Sequence, residues 1–394
     1  MLAFTFPGQG SQKPGMGAPW REQPSWELVG EASEVAGRDI ARLLLDAEAE
    51  ELRQTRNAQL VTFVTSLVVL DAVERVGIAP GTVAGHSLGE YTALTATGAL
   101  SFDDGVRLVA ARSEAMQRAA DDRPGTMAAI LGLDDDDADA ACRRADGDVW
   151  VANFNAPGQV VIAGSLEGVA AASEAAKELG AKRVMALQVG GAFHTQFMAP
   201  ARDELRKAVE AATIRDPEIA VLANIDARPH QSAGEWTSLL SAQLCSPVRW
   251  RQTVQRMVAD GVDTFVELGP GGILTGMAKR IAPEARGIAV GTPDDIDRLL
   301  EVLGGEPPVP HGQPDGEHLF MTERMVVSPS AGVFTPDARW AGAGSGARVE
   351  VGELLGTVGT VEVRSLFAGV VQGFIAVQGE RVTPSQPIAW LRTA

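Results

Sequence analysis

Ser87 lies between two glycines in the stretch VAGHSLGEYTAL, residues 83–94. Residues 85–89, GHSLG, fit the pattern G-x-S-x-G, in which a strand turns sharply into a helix and only hydrogen at the flanking positions leaves room for the turn. Such a turn exposes the serine at the helix N-terminus, where backbone N–H groups can stabilise a developing negative charge. The pattern and its placement predict that Ser87 is a nucleophile.

A serine nucleophile needs a base, and histidine is the usual one because its neutral form is available near pH 7. Three of the five histidines lie in polar or proline-rich stretches typical of surface residues: His230, His311 and His318. His86 adjoins the nucleophile and is expected to be structural or to line the substrate site. His194, in VGGAFHTQFM, follows a predicted strand, and a loop from a parallel sheet would bring it to the same edge as Ser87. His194 is therefore the predicted base.

The elements that must position these residues follow two patterns. Residues 1–123 alternate short apolar runs with helical patterns, and this alternation returns over residues 194–303. Alternating strands and helices are typical of a mainly parallel sheet covered on both faces. Residues 124–193 instead give the order strand, helix, strand, strand, helix, strand, which predicts a ferredoxin-like subdomain inserted into an α/β core.

The composition changes near residue 303. The stretch GGEPPVPHGQPDGEH holds four prolines and four glycines, which predicts a linker over residues 304–321. Residues 322–394 are strand-like throughout, and SPSAGVF at 328–334 resembles SLFAGVV at 365–371. The sequence predicts a small all-β domain of two similar halves.

Charge and composition limit the classes of partner. A formal charge of -17 argues against nucleic acid and against an anionic membrane as partners. The beginning MLAFTFPGQGSQ resembles a first strand and not a signal peptide. Two well separated cysteines, Cys142 and Cys245, favour a reducing compartment, and we expect a cytoplasmic protein.

Seven blocks within residues 1–300 resemble, in order, those of the malonyl-CoA:acyl carrier protein transacylases: FPGQGSQ (6–12), GHSLGEYTAL (85–94), RLVAARSEAMQ (107–117), NFNAPGQVVIAG (153–164), GAFHTQFM (191–198), QLCSPVRW (243–250) and ELGPGGILTGM (267–277). The resemblance implies an α/β-hydrolase-like core with the ferredoxin-like insert. It also implies transfer of a malonyl group from malonyl-CoA to the phosphopantetheine thiol of a holo acyl carrier protein, in fatty acid or polyketide biosynthesis. No metal or tightly bound cofactor is implied, and malonyl-CoA is the expected substrate.

The resemblance also implies roles for individual residues. Ser87 would be acylated, with His194 as its base. The backbone N–H groups of Gln9 and Leu88 would form the oxyanion hole. A backbone carbonyl near Gln243 would orient the histidine in place of a carboxylate, and the sequence has no aspartate in a motif that would serve as a third member of a hydrolase triad.

Arg112 is one of three arginines on the predicted helix DDGVRLVAARSEAMQRAA, and by default each would be a surface charge. The resemblance implies that Arg112 binds the free carboxylate of the malonyl group. A guanidinium binds a carboxylate through two parallel, charge-assisted hydrogen bonds. An acetyl group would leave this guanidinium buried and unpaired, so the site should select a dicarboxylic acyl group.

The C-terminal residues 322–394 resemble, more faintly, the biotinyl and lipoyl carrier domains, which have a barrel-sandwich fold. Those domains present a lysine at a hairpin tip between the two halves, here about residues 357–362. The last lysine of the chain is Lys279, so the tail has no lysine for biotin or lipoate. The expected roles of this degenerate domain are docking of a protein partner, packing on the transferase, assembly, or stabilisation alone.

Two other functions remain open from the sequence. A thioesterase with the same serine would pass the acyl group to water and release free malonate. A scaffold protein would act through its C-terminal domain and would tolerate loss of Ser87 in its biological role. The resemblance and the carboxylate-binding role that it implies for Arg112 favour an acyltransferase over a hydrolase.

Overall fold

The computed structural model describes residues 1–304, 323–340, 347–384 and 386–392. The chain divides into two compact units, a larger one made mainly of residues up to 305 and a smaller one centred on the residues that follow. The predicted linker lies outside the described residues, except for residue 304.

The α-helices are α1 (Glu27–Ala36), α2 (Ile40–Leu45), α3 (Ala49–Arg53), α4 (Thr55–Arg75), α5 (Gly89–Ala96), α6 (Phe102–Asp122), α7 (Asp135–Arg144), α8 (Leu166–Glu178), α9 (Ala199–Ala211), α10 (Ala233–Gln243), α11 (Trp250–Ala259), α12 (Ile273–Ile281) and α13 (Asp294–Leu303). The strands of the larger unit are β1 (Leu2–Phe6), β2 (Thr82–Gly85), β3 (Thr126–Leu131), β4 (Val149–Ala156), β5 (Gln159–Gly164), β6 (Arg183–Ala186), β7 (Val221–Leu222), β8 (Pro229–His230), β9 (Thr264–Leu268) and β10 (Arg286–Val290). The strands of the smaller unit are β11 (Glu323–Val327), β12 (Gly332–Pro336), β13 (Arg348–Val349), β14 (Leu354–Val358), β15 (Val361–Arg364), β16 (Gly369–Phe374), β17 (Arg381–Val382) and β18 (Pro387–Arg392).

The main sheet has six strands in the order β10-β9-β1-β2-β7-β8. All neighbours are parallel except β8, which pairs antiparallel with β7 at one edge. The central strands are buried and apolar, as expected for a sheet covered on both faces. Phe6 pairs with Gly85, so β1 and β2 end side by side, and the segments that follow them lie at one edge of the sheet.

Two long helices pack in the larger unit. α4 is long and apolar enough by composition to cross a membrane, but 89% of its most apolar window is buried inside the protein, as in a core helix. Ser101 is the N-cap residue of α6. Its hydroxyl accepts a hydrogen bond from Asp104 N–H and so satisfies a backbone donor that would otherwise be unpaired. The buried face of α6 carries Leu108, Val109 and Met116 at helical spacing, and it presents Arg112 among them.

The second sheet of the larger unit has the order β4-β5-β3-β6, with antiparallel neighbours. Its elements follow the chain as β3-α7-β4-β5-α8-β6. This order and connectivity are those of a ferredoxin-like unit. α7 and α8 cover one face of the sheet with small and branched apolar residues, which form a separate core cluster.

The smaller unit contains two four-stranded antiparallel sheets, β11-β18-β16-β13 and β15-β14-β12-β17. The resemblance between its halves extends to the hydrogen bonds. Ser328 Oγ donates to the carbonyl of Ser330 and Ser365 Oγ to that of Phe367, each at 2.7 Å. Both serines are fully buried, so the same local turn occurs once in each half.

Some elements differ from the sequence pattern. The apolar stretch 219–226 predicts a full strand, but β7 has only two residues because the chain turns at Asn224 to form β8. β10 was not predicted from the sequence, and it pairs with β9 at the other edge of the sheet. Both differences arise at or next to a sheet edge, where strand pairing is decided by tertiary packing and not by the local pattern.

Candidate active site

The nucleophile turn, residues 85–89, connects β2 to α5. Ser87 has φ +53°, a left-handed conformation that costs a residue with a Cβ about 1–2 kcal/mol. A Cβ on Gly85 would lie 1.8 Å from the carbonyl carbon of Gly89, and one on Gly89 would lie 2.1 Å from the carbonyl oxygen of Phe6. Both glycines are therefore required by close backbone approach, as the G-x-S-x-G pattern predicts.

Ser87 and His194 lie 107 residues apart in the chain, and the structure brings them into contact. Ser87 Oγ is 2.7 Å from His194 Nε2. His194 Nδ1 is 2.9 Å from the backbone carbonyl of Gln243, which can only accept, so Nδ1 carries the proton. Nε2 then presents its lone pair to the serine hydroxyl, which is the arrangement of a general base.

His194 reaches this position by a route that differs from the sequence interpretation. A loop from the parallel sheet was expected to carry it, but the chain reaches His194 from β6, an edge strand of the antiparallel four-stranded sheet. His194 itself has φ +62°. The expectation of a parallel sheet is wrong at this point, because the strand that precedes His194 is the last strand of the antiparallel insert, which returns the chain to the core here.

The surroundings of His194 favour its neutral form. Burial, followed by the positive charge of Arg112, lowers the pKa of His194 to about 3. The side chain is 5% exposed. The imidazole is therefore unprotonated, and available as a base, throughout the neutral pH range.

Arg112 is 1% exposed, whereas the other two arginines of its helix have half or more of their side chains exposed. Its Nη1 donates to Gln59 Oε1 at 2.6 Å. Its Nη2 donates to Ser87 Oγ at 3.1 Å and to Gln243 Oε1 at 2.9 Å. Burial lowers the pKa of Arg112, but a guanidinium stays charged in proteins. A buried cation beside the nucleophile, bound only by neutral oxygens, is suited to bind an anionic group of a substrate.

Gln243 is the last residue of α10 and is fully buried. Its backbone carbonyl accepts from His194, as the resemblance implied. Its side chain makes contacts that the sequence did not indicate, because Nε2 donates to the carbonyl oxygen of Ser87 at 2.9 Å and also to Glu90. One residue thus contacts the base, the arginine and the backbone of the nucleophile.

Two further buried residues at the nucleophile turn were missed by the sequence interpretation. Asn224 Oδ1 accepts from Ser87 N–H at 2.7 Å, and its own N–H donates to Glu90 Oε1 at 2.6 Å. Burial raises the pKa of Glu90 to about 8. Asn224 lies two residues after the end of β7, and Glu90 directly follows the G-x-S-x-G pattern, so position at the sheet edge was the available signal.

Gln9 and Leu88 lie where the backbones after β1 and β2 approach each other. Gln9 follows β1 and lines the cavity described below, and Leu88 is the N-cap residue of α5. A Cβ on Gly8 would lie 2.6 Å from the carbonyl oxygen of His86, so the two segments are in direct contact. The two residues thus flank Ser87 from neighbouring strand ends, which suits the predicted pair of N–H donors.

His86 does not act on Ser87 in the structure. Its Nε2 is 2.9 Å from Asn155 Oδ1, and its ring packs edge-on against Trp250 with 5.6 Å between ring centroids. Asn155 belongs to β4 of the ferredoxin-like sheet, so His86 joins the main sheet to that sheet. These contacts agree with the prediction that His86 is structural. Its ring also lines the cavity described below.

A cavity of about 480 Å³ opens at the nucleophile and is lined by strands of the second sheet and by segments that follow strands of the main sheet. Its polar lining includes Gln9, Gln59, His86, Ser87, Arg112, Asn155 and His194. Apolar residues line much of the remainder: Met116, Met127, Val161, Leu187, Phe193 and Met277. Among the described residues, no three His, Cys, Asp or Glu side chains are grouped as metal ligands would be.

Comparison with known proteins places this site in a family. The sequence matches the acyl transferase domain family over residues 3–292. The malonyl CoA-acyl carrier protein transacylase of Bacillus subtilis is 41% identical over 310 residues, which cover 77% of this chain and 98% of that protein.

Solved structures agree with the sequence relatives. The acyl-carrier-protein S-malonyltransferase of Burkholderia pseudomallei is 43% identical, with a TM-score of 0.74 over 76% of this chain and 99% of that chain. A malonyl-transacylase in complex with its type II PKS acyl-carrier protein is 38% identical, with a TM-score of 0.74 over 76% of this chain and 99% of that chain. These findings confirm the predicted α/β class and the resemblance stated above. The chain belongs to the malonyl-CoA:acyl carrier protein transacylase family of acyl transferases.

Proposed function

We propose that this protein transfers a malonyl group from malonyl-CoA to the phosphopantetheine thiol of a holo acyl carrier protein, through an ester on Ser87. The observation that carries this proposal is the convergence of two groups on one atom, the hydroxyl oxygen of Ser87. Ser87 Oγ is 2.7 Å from the base His194 and 3.1 Å from the buried cation Arg112. A serine nucleophile beside a buried guanidinium suits an acyl group that carries its own carboxylate.

The first half-reaction acylates the serine. His194 Nε2 takes the hydroxyl proton while Ser87 Oγ attacks the thioester carbonyl carbon and forms a tetrahedral oxyanion. The N–H groups of Gln9 and Leu88 stabilise that oxyanion. The C–S bond then breaks, and the leaving CoA thiolate takes the proton from His194.

The second half-reaction reverses these steps with a different thiol. His194 takes the proton of the phosphopantetheine thiol, and the sulfur attacks the ester carbonyl carbon. The same two N–H groups stabilise the tetrahedral oxyanion. The oxyanion then collapses, the bond from the acyl carbon to Ser87 Oγ breaks, and Ser87 Oγ takes a proton from His194. The backbone carbonyl of Gln243 holds the imidazole in the required tautomer in both halves.

Arg112 supplies selectivity for a dicarboxylic acyl group. In the structure its N–H donors are directed to Gln59, Gln243 and Ser87. A malonyl carboxylate would accept two parallel, charge-assisted hydrogen bonds from the guanidinium, and an acetyl group has no carboxylate to accept them. Malonyl is therefore the proposed substrate, in preference to acetyl.

Transfer to a thiol is favoured over release to water. His194 is oriented by a backbone carbonyl in place of a carboxylate. The chain also covers nearly the full length of relatives that are named transacylases, one of which was solved with its acyl carrier protein. The proposed partners are malonyl-CoA and a holo acyl carrier protein, in fatty acid or polyketide biosynthesis, with no resident metal or cofactor.

The division of the chain is part of the same proposal. We assign residues 1–123 and 194–303 to an α/β-hydrolase-like core, 124–193 to a ferredoxin-like subdomain, 304–321 to a linker and 322–394 to a degenerate biotinyl/lipoyl-like domain. The repeated Ser328 and Ser365 turns support two related halves in the last of these. A cytoplasmic location fits the two free cysteines.

The test measures where the malonyl group goes. The protein is incubated with radiolabelled malonyl-CoA, with and without a holo carrier protein, and label is followed on the carrier and as free malonate. We expect label on the carrier thiol that depends on Ser87 and is lost in Ser87→Ala. Free malonate formed at the same rate with or without the carrier would show a hydrolase and reject the proposal.

A further inference from the structure

The conformation of Ser87 requires a residue that holds it. Its φ of +53° lies in a region that a residue with a Cβ occupies only where its surroundings determine it. Gly85 and Gly89 give the turn room, but room does not by itself select one conformation. What fixes the backbone of Ser87 is the set of hydrogen bonds to its N–H and its carbonyl.

The side chain of Asn224 makes two hydrogen bonds to the backbone that leads from β2 into the nucleophile. Its Oδ1 accepts from Ser87 N–H, and its Nδ2 donates to the carbonyl oxygen of Gly85, each at 2.7 Å. The carboxamide therefore joins the last residue of β2 to the nucleophile two residues later. Asn224 is 1% exposed, so water does not compete for these bonds.

The backbone of Asn224 is itself fixed. Its N–H donates to Glu90 Oε1 at 2.6 Å, and its carbonyl accepts from Arg249 N–H at 2.9 Å. The other oxygen of Glu90 accepts from Gln243 Nε2, which also binds the carbonyl of Ser87. The residues that hold the N–H and the carbonyl of the nucleophile are thus linked through one buried carboxyl group.

Position 224 requires a side chain with one hydrogen-bond donor and one hydrogen-bond acceptor in the same plane. Asparagine provides both from a single rigid group. Aspartate has the same shape but offers two acceptors, one of which would face the carbonyl oxygen of Gly85, and alanine offers neither. A buried polar group that loses its partner carries the full cost of desolvation, so Ser87 N–H and the Gly85 carbonyl would both be affected.

We propose that Asn224 is a positioning residue of the acyl transfer site, whose carboxamide holds Ser87 in the left-handed conformation that aligns Oγ with His194 Nε2. The inference rests on the proposed role of Ser87 as the nucleophile. Asn224 acts on the rate of attack and not on binding of the acyl carboxylate, because no contact with Arg112 is involved in its two bonds.

The test separates serine reactivity from malonyl transfer. A fluorophosphonate probe is attacked by an activated serine, which forms a P–O bond and releases fluoride while His194 takes the proton. Asn224→Ala and Asn224→Asp should label Ser87 about 10- to 100-fold more slowly than the unsubstituted protein. With malonyl-CoA and a carrier protein, kcat should fall by a similar factor while KM changes less than about twofold.

The matched control is Asn57→Ala, since Asn57 is 4% exposed and its carboxamide bonds to residues remote from the turn. This control should lower the thermal midpoint but label at the unsubstituted rate. If Ser87 of the Asn224→Asp variant is labelled at a rate within about twofold of that in the unsubstituted protein, the proposal is overturned. If the unsubstituted protein takes the fluorophosphonate but not malonyl, the proposed substrate fails while the role of Asn224 is still tested.

A second measurement covers variants that fold poorly. Glycine at position 87 adopts a positive φ without strain. Asn224→Ala should therefore lower the thermal midpoint less in a Ser87→Gly background than in a Ser87→Ala background. Equal losses in the two backgrounds would show that the fold needs Asn224 irrespective of the strained residue, and would overturn the proposal.

Discussion

The larger and smaller units use backbone strain and buried polar groups differently. In the larger unit, two of the three non-glycine residues with positive φ are Ser87 and His194, the proposed nucleophile and base. Among the described residues between 323 and 392, positive φ occurs only at glycines, namely Gly352, Gly359 and Gly379. Within the described part of the chain, strain on a residue with a side chain is therefore confined to the unit that carries the chemistry.

Buried polar groups show the same contrast. Around Ser87 they bond to one another through side chains from distant parts of the sequence, as Arg112 does with Gln59 and Gln243. Among the described residues between 323 and 392, Ser328 and Ser365 are the buried polar side chains, and each bonds to a carbonyl two residues away. Local bonds of this kind stabilise turns, whereas a network of long-range bonds positions groups for a reaction.

Removal of the base should have the largest effect on serine chemistry. In His194→Ala no group remains at 2.7 Å to take the proton of Ser87. Labelling by a fluorophosphonate should slow by about 10²- to 10⁴-fold, the range of general base catalysis. A loss of less than about threefold would show that the base lies elsewhere.

Loss of the buried cation should have a smaller and selective effect. Arg112→Ala should lower acylation by malonyl-CoA by about 10- to 100-fold, because two charge-assisted bonds are lost, and lower acylation by acetyl-CoA by less than about threefold. Arg107→Ala, which removes an exposed arginine of the same helix, is the matched control and should leave both rates unchanged. Equal losses for the two acyl groups would remove Arg112 from its proposed role.

The pH dependence of labelling should be small. The pKa of His194 is lowered to about 3, so its neutral form is present on the alkaline side of that value. The rate of fluorophosphonate labelling should therefore be flat between about pH 5 and 8, whereas an ordinary histidine would give a rise centred near 6.5. A midpoint near 6.5 in the pH–rate profile would contradict the burial of this base.

Stability should depend on pH in the corresponding sense. The unfolded chain, with an ordinary histidine, binds a proton below about pH 6.5 that the folded state does not bind until about pH 3. His194 therefore lowers the free energy of unfolding as the pH falls through this interval. Thermal midpoints of the unsubstituted protein and of His194→Gln, measured from pH 7 to 4, should diverge, with the larger fall in the unsubstituted protein.

A core substitution in the smaller unit should leave serine reactivity unchanged. Phe334 is fully buried and stacks on Phe374, so Phe334→Ala should destabilise this unit by about 3–5 kcal/mol. Labelling of Ser87 should stay within about twofold. Phe63→Ala, in α4 of the larger unit, is the matched control and should lower both stability and labelling. A tenfold lower rate of Ser87 labelling in Phe334→Ala would contradict the contrast drawn between the units.

The sequence predicted those parts of the site that local patterns encode. G-x-S-x-G marks Ser87 because the close approach of Gly85 and Gly89 leaves few alternatives. The strand and helix order of residues 124–193 follows from their alternating patterns. Helical periodicity could also have indicated that Arg112 is buried, since it lies on the apolar stripe of α6 among Leu108, Val109 and Met116.

The remaining site residues depend on tertiary contacts that no local pattern encodes. Gln59 lies within the apolar run of α4 and contacts Arg112 only after two helices have packed. Asn224 lies in the turn that follows the two-residue strand β7, where the local pattern predicts that the strand continues. The route of the chain to His194 was misassigned for the same reason, since β6 belongs to the sheet of the insert.

The most direct measurement is the lifetime of the acylated protein. The protein is loaded with radiolabelled malonyl-CoA, freed of CoA by rapid gel filtration, and followed with and without holo acyl carrier protein while peptide mapping locates the label. Transfer predicts a malonyl ester on Ser87 that persists in buffer and is discharged onto the carrier thiol when the carrier is added. Label on another residue, or equally fast release of free malonate in both samples, would contradict it.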